Sequence, residues 1–153
     1  MSSAPSRKAT LASQAWTLMF DILMASSGAR SRSLASRGLT PNDARALWSL
    51  SAEEGRPIGQ LARDWECDAS NATFIVGRLE DAGLARRYDN PTDRRVKLVE
   101  LTAKGARMKT ELMAEYRVPP PEIQKLNEAD LRTLVEVLEK MHAPARQAGK
   151  LDR

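Results

Sequence analysis

Two adjacent arginines in the second half of the chain carry the clearest chemistry in the sequence. Arg94 and Arg95 follow a turn segment, 90–93, and strand-like segments lie on both sides, at 84–88 and 96–101. Asn, Pro, Thr and Asp in the turn segment are the residues that close tight turns. The pattern predicts a β-hairpin with both arginines at its tip. Guanidinium groups that a hairpin carries away from the core suit the groove of a polyanion.

A second polar set lies on the helix predicted over residues 69–82. Four of its apolar residues share one side and are expected to pack inward: Ala72, Ile75, Val76 and Leu79. The outer and flanking sides carry groups that can bond to base edges, touch thymine methyls or reach phosphate: Ser70, Asn71, Thr73, Phe74 and Arg78. Residues 66–68 link this helix to one predicted over 59–66, a spacing that suits a helix-turn-helix. An ordinary amphipathic helix with a solvated polar face is the alternative.

The remaining segments are helical by periodicity and capping. A long helix is predicted over residues 10–37, a second from Pro41 to Gly55, a fifth from the Thr102 cap through Met113, and a sixth from the Asn127 cap to Pro144. Residues 56–58 form an extended link, and residues 118–121 break the fifth helix. The predicted fold class is therefore mainly α with a small β-hairpin, a winged helix-turn-helix with additional helices at both ends.

Composition narrows the possible functions. One cysteine and one histidine among 153 residues leave no disulfide framework and no metal cluster, and no catalytic set or phosphate loop appears. We therefore expect no enzyme, no cofactor and no metal. No apolar run approaches a membrane span and the N-terminus lacks an apolar signal core, which predicts a cytoplasmic protein without a membrane partner.

The charge of the chain is unevenly distributed. The net charge is +4, but residues 41–83 hold four basic and eight acidic residues, whereas residues 84–109 hold eight basic and three acidic ones. Basic residues concentrated on the hairpin and its flanks favour a nucleic-acid partner. A solvated basic hairpin that resists edge-to-edge aggregation is the alternative.

The motifs around these residues resemble those of the MarR family of bacterial winged-helix transcription regulators. The resemblance covers about residues 10–142. It rests on Ile58-Gly-Gln-Leu-Ala62, on Ser70-Asn-Ala-Thr73 leading to Arg78-Leu-Glu-Asp-Ala-Gly-Leu84, and above all on Asp93-Arg-Arg95 with Leu101-Thr-Ala-Lys-Gly105. By position, Asp93 resembles a wing carboxylate that holds Arg95 for the minor groove, while Arg94 takes phosphate or shares that groove. Asp93 as a turn residue alone is the alternative.

The resemblance implies a homodimer whose N- and C-terminal helices interlock. Apolar stripes on the first, fifth and sixth predicted helices exceed what a small winged helix can cover, which also favours a second copy of the chain. The predicted domains are an N-terminal dimerisation helix over 1–39, a DNA-binding region over 40–105 and C-terminal dimerisation helices over 106–153. Terminal helices folded back as a monomeric cap are the alternative.

The family resemblance also implies a small, often aromatic or phenolic effector. The candidate pocket residues are aromatic, methionine and leucine side chains of the first two helices: Trp16, Met19, Phe20, Leu23, Leu47 and Trp48. The same set at helical spacing is typical of plain core. Cys67, between the two helices of the helix-turn-helix and before Asp68, is interpreted as a buried inert thiol rather than an oxidant sensor.

The sequence therefore predicts a dimeric repressor of the MarR type that binds a pseudo-palindromic operator in double-stranded DNA. A small molecule would relieve this repression. The alternative is a winged-helix module that binds a protein partner without sequence-specific DNA binding.

Overall fold

A computed structural model describes residues 6–148 of the chain. Residues 1–5 and 149–153 of the two predicted terminal domains lie outside this range. The described elements, in chain order, are α1 (Arg7–Ser36), α2 (Pro41–Ser49), β1 (Arg56–Pro57), α3 (Ile58–Asp64), α4 (Ala69–Asp81), β2 (Ala85–Asn90), β3 (Asp93–Leu101), α5 (Ala103–Tyr116), α6 (Pro121–Gln124) and α7 (Glu128–Ala148). This order confirms the predicted fold class, a mainly helical winged helix-turn-helix.

The described residues form two compact units, and the division falls between Val118 and Pro119. The first unit contains α1 to α5 and the sheet, and the second contains α6 and α7. The predicted boundaries at residues 39 and 105 separate dimerisation regions from a DNA-binding region. The division into compact units does not test these functions, so the boundaries stay a prediction.

The core of the first unit lies where α2, α3, α4 and α5 meet the sheet. Its largest fully buried side chains include Leu47, Leu61, Leu79 and Leu112. The four residues predicted to face inward from α4 are all buried, because their spacing places them on one side of the helix. This packing leaves the opposite side of α4 free to meet a partner.

The second helix is shorter than predicted. It ends at Ser49, and Leu50 follows in an extended conformation with its side chain buried in the core. The chain then runs into β1, where Arg56 and Pro57 pair antiparallel with Val99 and Leu98 of β3. The sheet therefore has three strands in the order β1-β3-β2 rather than the two of a hairpin. The third strand forms because residues 56–57 pair with a strand that is distant in the chain. The periodicity of the sequence does not indicate such a pairing.

The sixth predicted helix, α7, was expected to end before Pro144 but runs on to Ala148. A proline inside a helix removes one backbone donor and crowds the carbonyl of the preceding turn, so helices usually end or kink there. The helical backbone of α7 nevertheless continues past Pro144. A short helix, α6, also follows the predicted break after α5. No helix among residues 6–148 combines the length and the apolar content that a membrane span requires.

The segment Leu101 to Gly105 joins the wing to α5. Thr102 caps α5 by accepting from the Gly105 N–H at 3.0 Å, and its own hydroxyl donates to the Gly83 carbonyl at 2.7 Å. The Thr102 N–H donates to the Leu84 carbonyl at 3.0 Å, and Lys104 Nζ donates to the Ala82 carbonyl at 2.7 Å. These bonds hold the end of α4 and the start of β2 against the first turn of α5.

Candidate nucleic-acid interface

The first turn of α4 is fixed by an aspartate cap. Asp68 Oδ1 accepts from the Ser70 hydroxyl at 2.6 Å and from the Asn71 N–H at 2.7 Å. The Ser70 bond and then the Asn71 bond lower the pKa of Asp68, so the cap is charged at neutral pH. The Thr73 hydroxyl donates to the Ala69 carbonyl at 2.7 Å, whereas the Asn71 side chain has no such partner within residues 6–142. Ser70, Asn71 and Thr73 are all exposed.

Phe74 is the most unusual residue of this surface. Its side chain is 65% exposed, one helical turn after Asn71 and Ser70. It is a large apolar side chain in solvent, in the middle of an otherwise polar helix face. Phe74, Asn71, Ser70 and Thr73 therefore form one exposed surface, as the sequence predicted, and we name it the outer face of α4.

Arg78, which the sequence placed with the DNA-binding residues, has partners within the protein. Its Nη2 donates to Asp43 Oδ2 at 2.9 Å, and its Nε lies 3.2 and 3.3 Å from the two carboxylate oxygens. Asp43 is 1% exposed. Burial alone raises the pKa of Asp43, but hydrogen bonds from Arg78 and Thr40 outweigh it, so the net shift is downward. The guanidinium thus belongs to an ion pair between α4 and α2.

The tip of the hairpin differs from the prediction in its details. Arg94 and Arg95 belong to β3, and the turn is confined to Pro91 and Thr92. Asp89 pairs with Lys97, whereas Asn90 pairs with Asp93, so residues 94–96 bulge out of the ladder without partners on β2. A bulge of this kind redirects side chains away from the regular sheet. The sequence predicted that a loop carries Arg94 and Arg95 away from the core, and in the structure the bulge does so.

Asp93 holds the backbone of the bulge rather than a guanidinium. Its Oδ1 accepts from the Arg95 N–H at 3.0 Å. Across the described part of the chain, neither the Arg94 nor the Arg95 side chain has an ion pair or a hydrogen bond, and both are exposed. This geometry matches the alternative in which Asp93 is a turn residue. It leaves two cations available for an external anion.

The hairpin is anchored to α4 by an ion pair at its base. Glu80, on the last turn of α4, accepts from the Arg87 backbone N–H at 3.0 Å and from its Nε at 2.7 Å. Both oxygens of the carboxylate are therefore used on one residue of β2. Two bonds to one residue fix both position and direction, so the wing and α4 keep a defined relative orientation.

The structure also reveals a basic groove that the sequence analysis missed. A cavity of about 410 Å³ lies between the start of α3 and β3 and is lined by Pro57, Ile58, Gly59, Gln60, Arg63, Arg95, Val96 and Lys97. Lys97 is paired with Asp89 across the hairpin. Arg63 and Gln60 come from a different element, and only the pairing of β1 with β3 brings them beside Arg95. Local sequence patterns give no signal of this proximity.

The predicted effector residues lie on exposed faces of the first unit. Trp16, Met19, Phe20 and Leu23 of α1 are exposed, and Leu34 is the one buried residue of that helix. Leu47 is fully buried in the core, which fits the alternative that this set is plain core. Trp48 packs edge-on against Tyr116, with ring centroids 4.8 Å apart, and the Arg30 guanidinium lies 5.7 Å from the centre of the Tyr116 ring.

Cys67 is partly buried and packs against the core. It lines a cavity of about 210 Å³ together with Arg45, Asn71 and Trp65, among other residues. The preceding residue, Glu66, has a φ of 52°, which a residue with a Cβ adopts only at a cost in backbone energy. The tight link between α3 and α4 imposes this conformation.

Comparisons with known proteins agree with this geometry. Residues 39–97 match the sequence profile of the MarR family. The HTH-type transcriptional regulator MhqR of Bacillus subtilis is 27% identical over 111 residues, which cover 72% of this chain and 77% of MhqR.

Solved structures share the fold. A multiple antibiotic-resistance repressor (MarR) from Listeria monocytogenes aligns with a TM-score of 0.75 at 19% identity, over 92% of this chain and 99% of that one. A MepR mutant from S. aureus, bound to an oligodeoxyribonucleotide, aligns with a TM-score of 0.66 at 16% identity, over 85% and 97%.

Proposed function

Because this chain is a MarR-family transcriptional regulator of the DNA-binding type, we propose that it works as a dimeric repressor that reads a pseudo-palindromic operator. Proteins of this family regulate transcription and are not enzymes, in line with the sequence prediction. One observation carries the proposal. The exposed outer face of α4 and the unpartnered guanidinium groups of Arg94 and Arg95 belong to elements that the Glu80–Arg87 pair locks together.

In the proposed complex, α4 enters the major groove with its N-terminal end first. Asn71, Ser70 and Thr73 supply hydrogen-bonding groups for base edges, and Phe74 supplies an apolar surface for thymine methyls. A side chain without an internal partner, such as that of Asn71, can bond to a base without first losing a protein contact. These residues therefore set the sequence preference.

The wing and the basic groove bind the DNA backbone in this proposal. Arg94 and Arg95 reach the minor groove or its phosphates from the bulge, while Arg63 and Gln60 face a neighbouring phosphate across the groove. Such contacts add affinity and fix the register of the protein on the duplex but carry little sequence information. Within the three helices α2, α3 and α4, three of the four acidic residues lie in internal ion pairs: Asp43, Asp64 and Glu80.

The proposed homodimer is supported by apolar side chains that the chain leaves exposed. On α1 they are Leu11, Trp16, Leu18, Met19, Phe20, Leu23 and Met24, and on α7 they are Val135, Val137, Leu138 and Met141. Continuous exposed stripes of this kind are typical of surfaces that a partner covers. A symmetric dimer would place the two α4 helices in successive major grooves, about 34 Å apart.

Relief of repression by a small aromatic or phenolic molecule is the remaining part of the proposal. Its support is the exposed set Trp16, Met19, Phe20, Leu23 and Trp48, which a second copy of α1 would enclose against the reading region. Aromatic walls with a few polar groups suit a planar organic ligand. The Arg30 guanidinium beside Tyr116 is a cation that a phenolate or carboxylate could approach.

Selection of bound duplexes from a random DNA pool tests the proposal directly. The purified chain is expected to enrich a motif with two inverted half-sites, whose centres are about one helical turn apart. Binding to the enriched duplex should weaken steeply with salt, because each protomer displaces several counterions from the phosphates. Recovery of no motif at low salt, with binding to a protein partner instead, would support the interaction-module alternative.

Replacing Phe74 with alanine is expected to lower affinity for the selected duplex about tenfold, since a methyl contact is lost in each half-site. The free energy of unfolding should change by less than about 0.5 kcal/mol, because the ring is exposed. Uracil in place of the contacted thymine removes the methyl group from the DNA side. The wild-type protein should lose affinity on this change, while Phe74→Ala should not. Equal losses for both proteins would contradict the assignment.

A further inference from the structure

Arg78 holds α4 against the corner between α1 and α2. Besides its bonds to the Asp43 carboxylate, its Nη2 lies 3.3 Å from the Gly38 carbonyl oxygen. Gly38 has a φ of 70° and forms the turn between the two helices. The guanidinium therefore binds two points of one corner, and its side chain remains 38% exposed at the edge of that contact.

The carboxylate of Asp43 takes part in two interactions, the cap of α2 and the ion pair with Arg78. Its Oδ2 accepts from the Thr40 N–H at 2.8 Å, while its own N–H donates to the Thr40 hydroxyl at 3.2 Å, which closes a capping box at the start of α2. The same Oδ2 accepts from Arg78. Because the capping box fixes the carboxylate rigidly, the position that it offers to Arg78 is fixed as well.

The contact at Arg78 controls the direction of the outer face of α4. Asn71, Phe74 and Arg78 follow one another at spacings of three and four residues, so they lie on one stripe of the helix. A rotation of α4 about its axis would therefore move all three together. A fixed bidentate contact at one end of the stripe sets where the other two point.

We infer that Arg78 and Asp43 are positioning residues, which orient α4 for the DNA from within the protein, and that Arg78 makes no contact with the operator. This inference rests on the proposed function, since orientation matters only if α4 reads a duplex. It assigns a role to a buried carboxylate that the proposed interface does not use. It also gives a different role to a residue that the sequence placed among the DNA contacts.

The Asp43→Asn variant tests whether Arg78 positions α4 or contacts the operator directly. Asparagine keeps an oxygen for the Thr40 N–H but removes the charge and one of the two oxygens that bind Arg78. The guanidinium then keeps only its contact with the Gly38 carbonyl and can turn towards solvent. If Arg78 only positions α4, affinity for the selected duplex should fall about tenfold or more, and the slope of log K against log salt should stay at the wild-type value. Asp43→Asn combined with Arg78→Ala should lose no more than either single change.

The opposite results identify a DNA contact. A freed Arg78 that binds phosphate would leave the affinity of Asp43→Asn unchanged or higher, and Arg78→Ala would then lower the salt slope by about one unit per protomer. Either result would overturn the inference. Glu111→Gln is the matched control, since it removes one exposed carboxylate that makes no ion pair within residues 6–142 and lies on α5, away from Arg78, and it should bind like the wild type.

A second variant covers the case in which Asp43→Asn fails to fold. Arg78→Lys keeps the positive charge but lacks the planar fork that spans both carboxylate oxygens. Positioning predicts a loss of specific affinity for this variant at an unchanged salt slope, whereas a phosphate contact predicts near wild-type binding. A wild-type chain that bound no duplex would overturn the proposed function, and the inference with it. If the wild type binds DNA and the variants bind equally well, the inference would be overturned and the proposed function would stand.

Discussion

Replacing Gly105 with alanine is expected to destabilise the protein by about 3 kcal/mol or more, one of the largest effects of any single substitution in this chain. A Cβ at this position would lie 1.8 Å from the carbonyl oxygen of Leu84 and 2.8 Å from its carbonyl carbon. These are backbone atoms, and the Leu84 carbonyl is held by the Thr102 N–H. Neither β2 nor α5 can move aside without breaking the hydrogen bonds that connect the wing to α5.

Thermal unfolding followed by circular dichroism, at one fixed protein concentration, measures the effect. For a chain of this length the expected loss corresponds to a fall in melting temperature of roughly 10 °C. Gly77→Ala is the matched control, because a Cβ there meets nothing closer than 3.9 Å. In the interior of α4 it should stabilise the protein by about 0.5–1 kcal/mol. If Gly105→Ala had the same melting temperature as the wild type, residue 105 could not lie as close to the Leu84 carbonyl as the structure shows.

Replacing Arg94 and Arg95 together with alanine is expected to reduce affinity for the selected duplex about a hundredfold or more. Both guanidinium groups are exposed and without protein partners in the described part of the chain, so their removal leaves no buried group unpaired. Their loss should act on DNA binding alone. The salt slope should fall by about two units per protomer, one for each lost phosphate contact.

The control for this prediction separates local contacts from total charge. Arg107→Ala with Arg117→Ala removes the same number of cations from α5 and its C-cap, and should weaken binding only slightly. Melting temperatures of both double variants should stay close to that of the wild type, since all four side chains are exposed. Equal losses of affinity in the two double variants would show that net charge, rather than the wing, drives binding.

The local features of the reading region could be predicted from the sequence because they depend on neighbouring residues. The inward side of α4 follows from a repeat of three and four residues, and the Asp68 and Thr102 caps follow from side chains that bond within one turn. The hairpin follows from its turn residues. The roles of Asn71, Phe74, Arg94 and Arg95 on the DNA remain predictions, although the structure leaves all four exposed.

Interactions between distant segments escaped prediction. The partner of Arg78 is 35 residues away in the chain, and no local pattern connects Asp43 with it. The third strand likewise depends on Arg56 and Pro57 meeting β3. Sequence periodicity also favoured a longer α2, because it does not show that Leu50 is needed in the core. Each of these features arises only once the elements have packed.

The sequence by itself determined the order of the helices, the amphipathic side of α4 and the presence of a basic hairpin, since these follow from contacts between residues a few positions apart. The tertiary structure alone decided that Arg78 pairs with Asp43, that Arg63 lies across a groove from Arg95, and that Gly105 abuts the Leu84 carbonyl. Those contacts join segments far apart in the chain, and their geometry is set by how the helices and the sheet pack around one core.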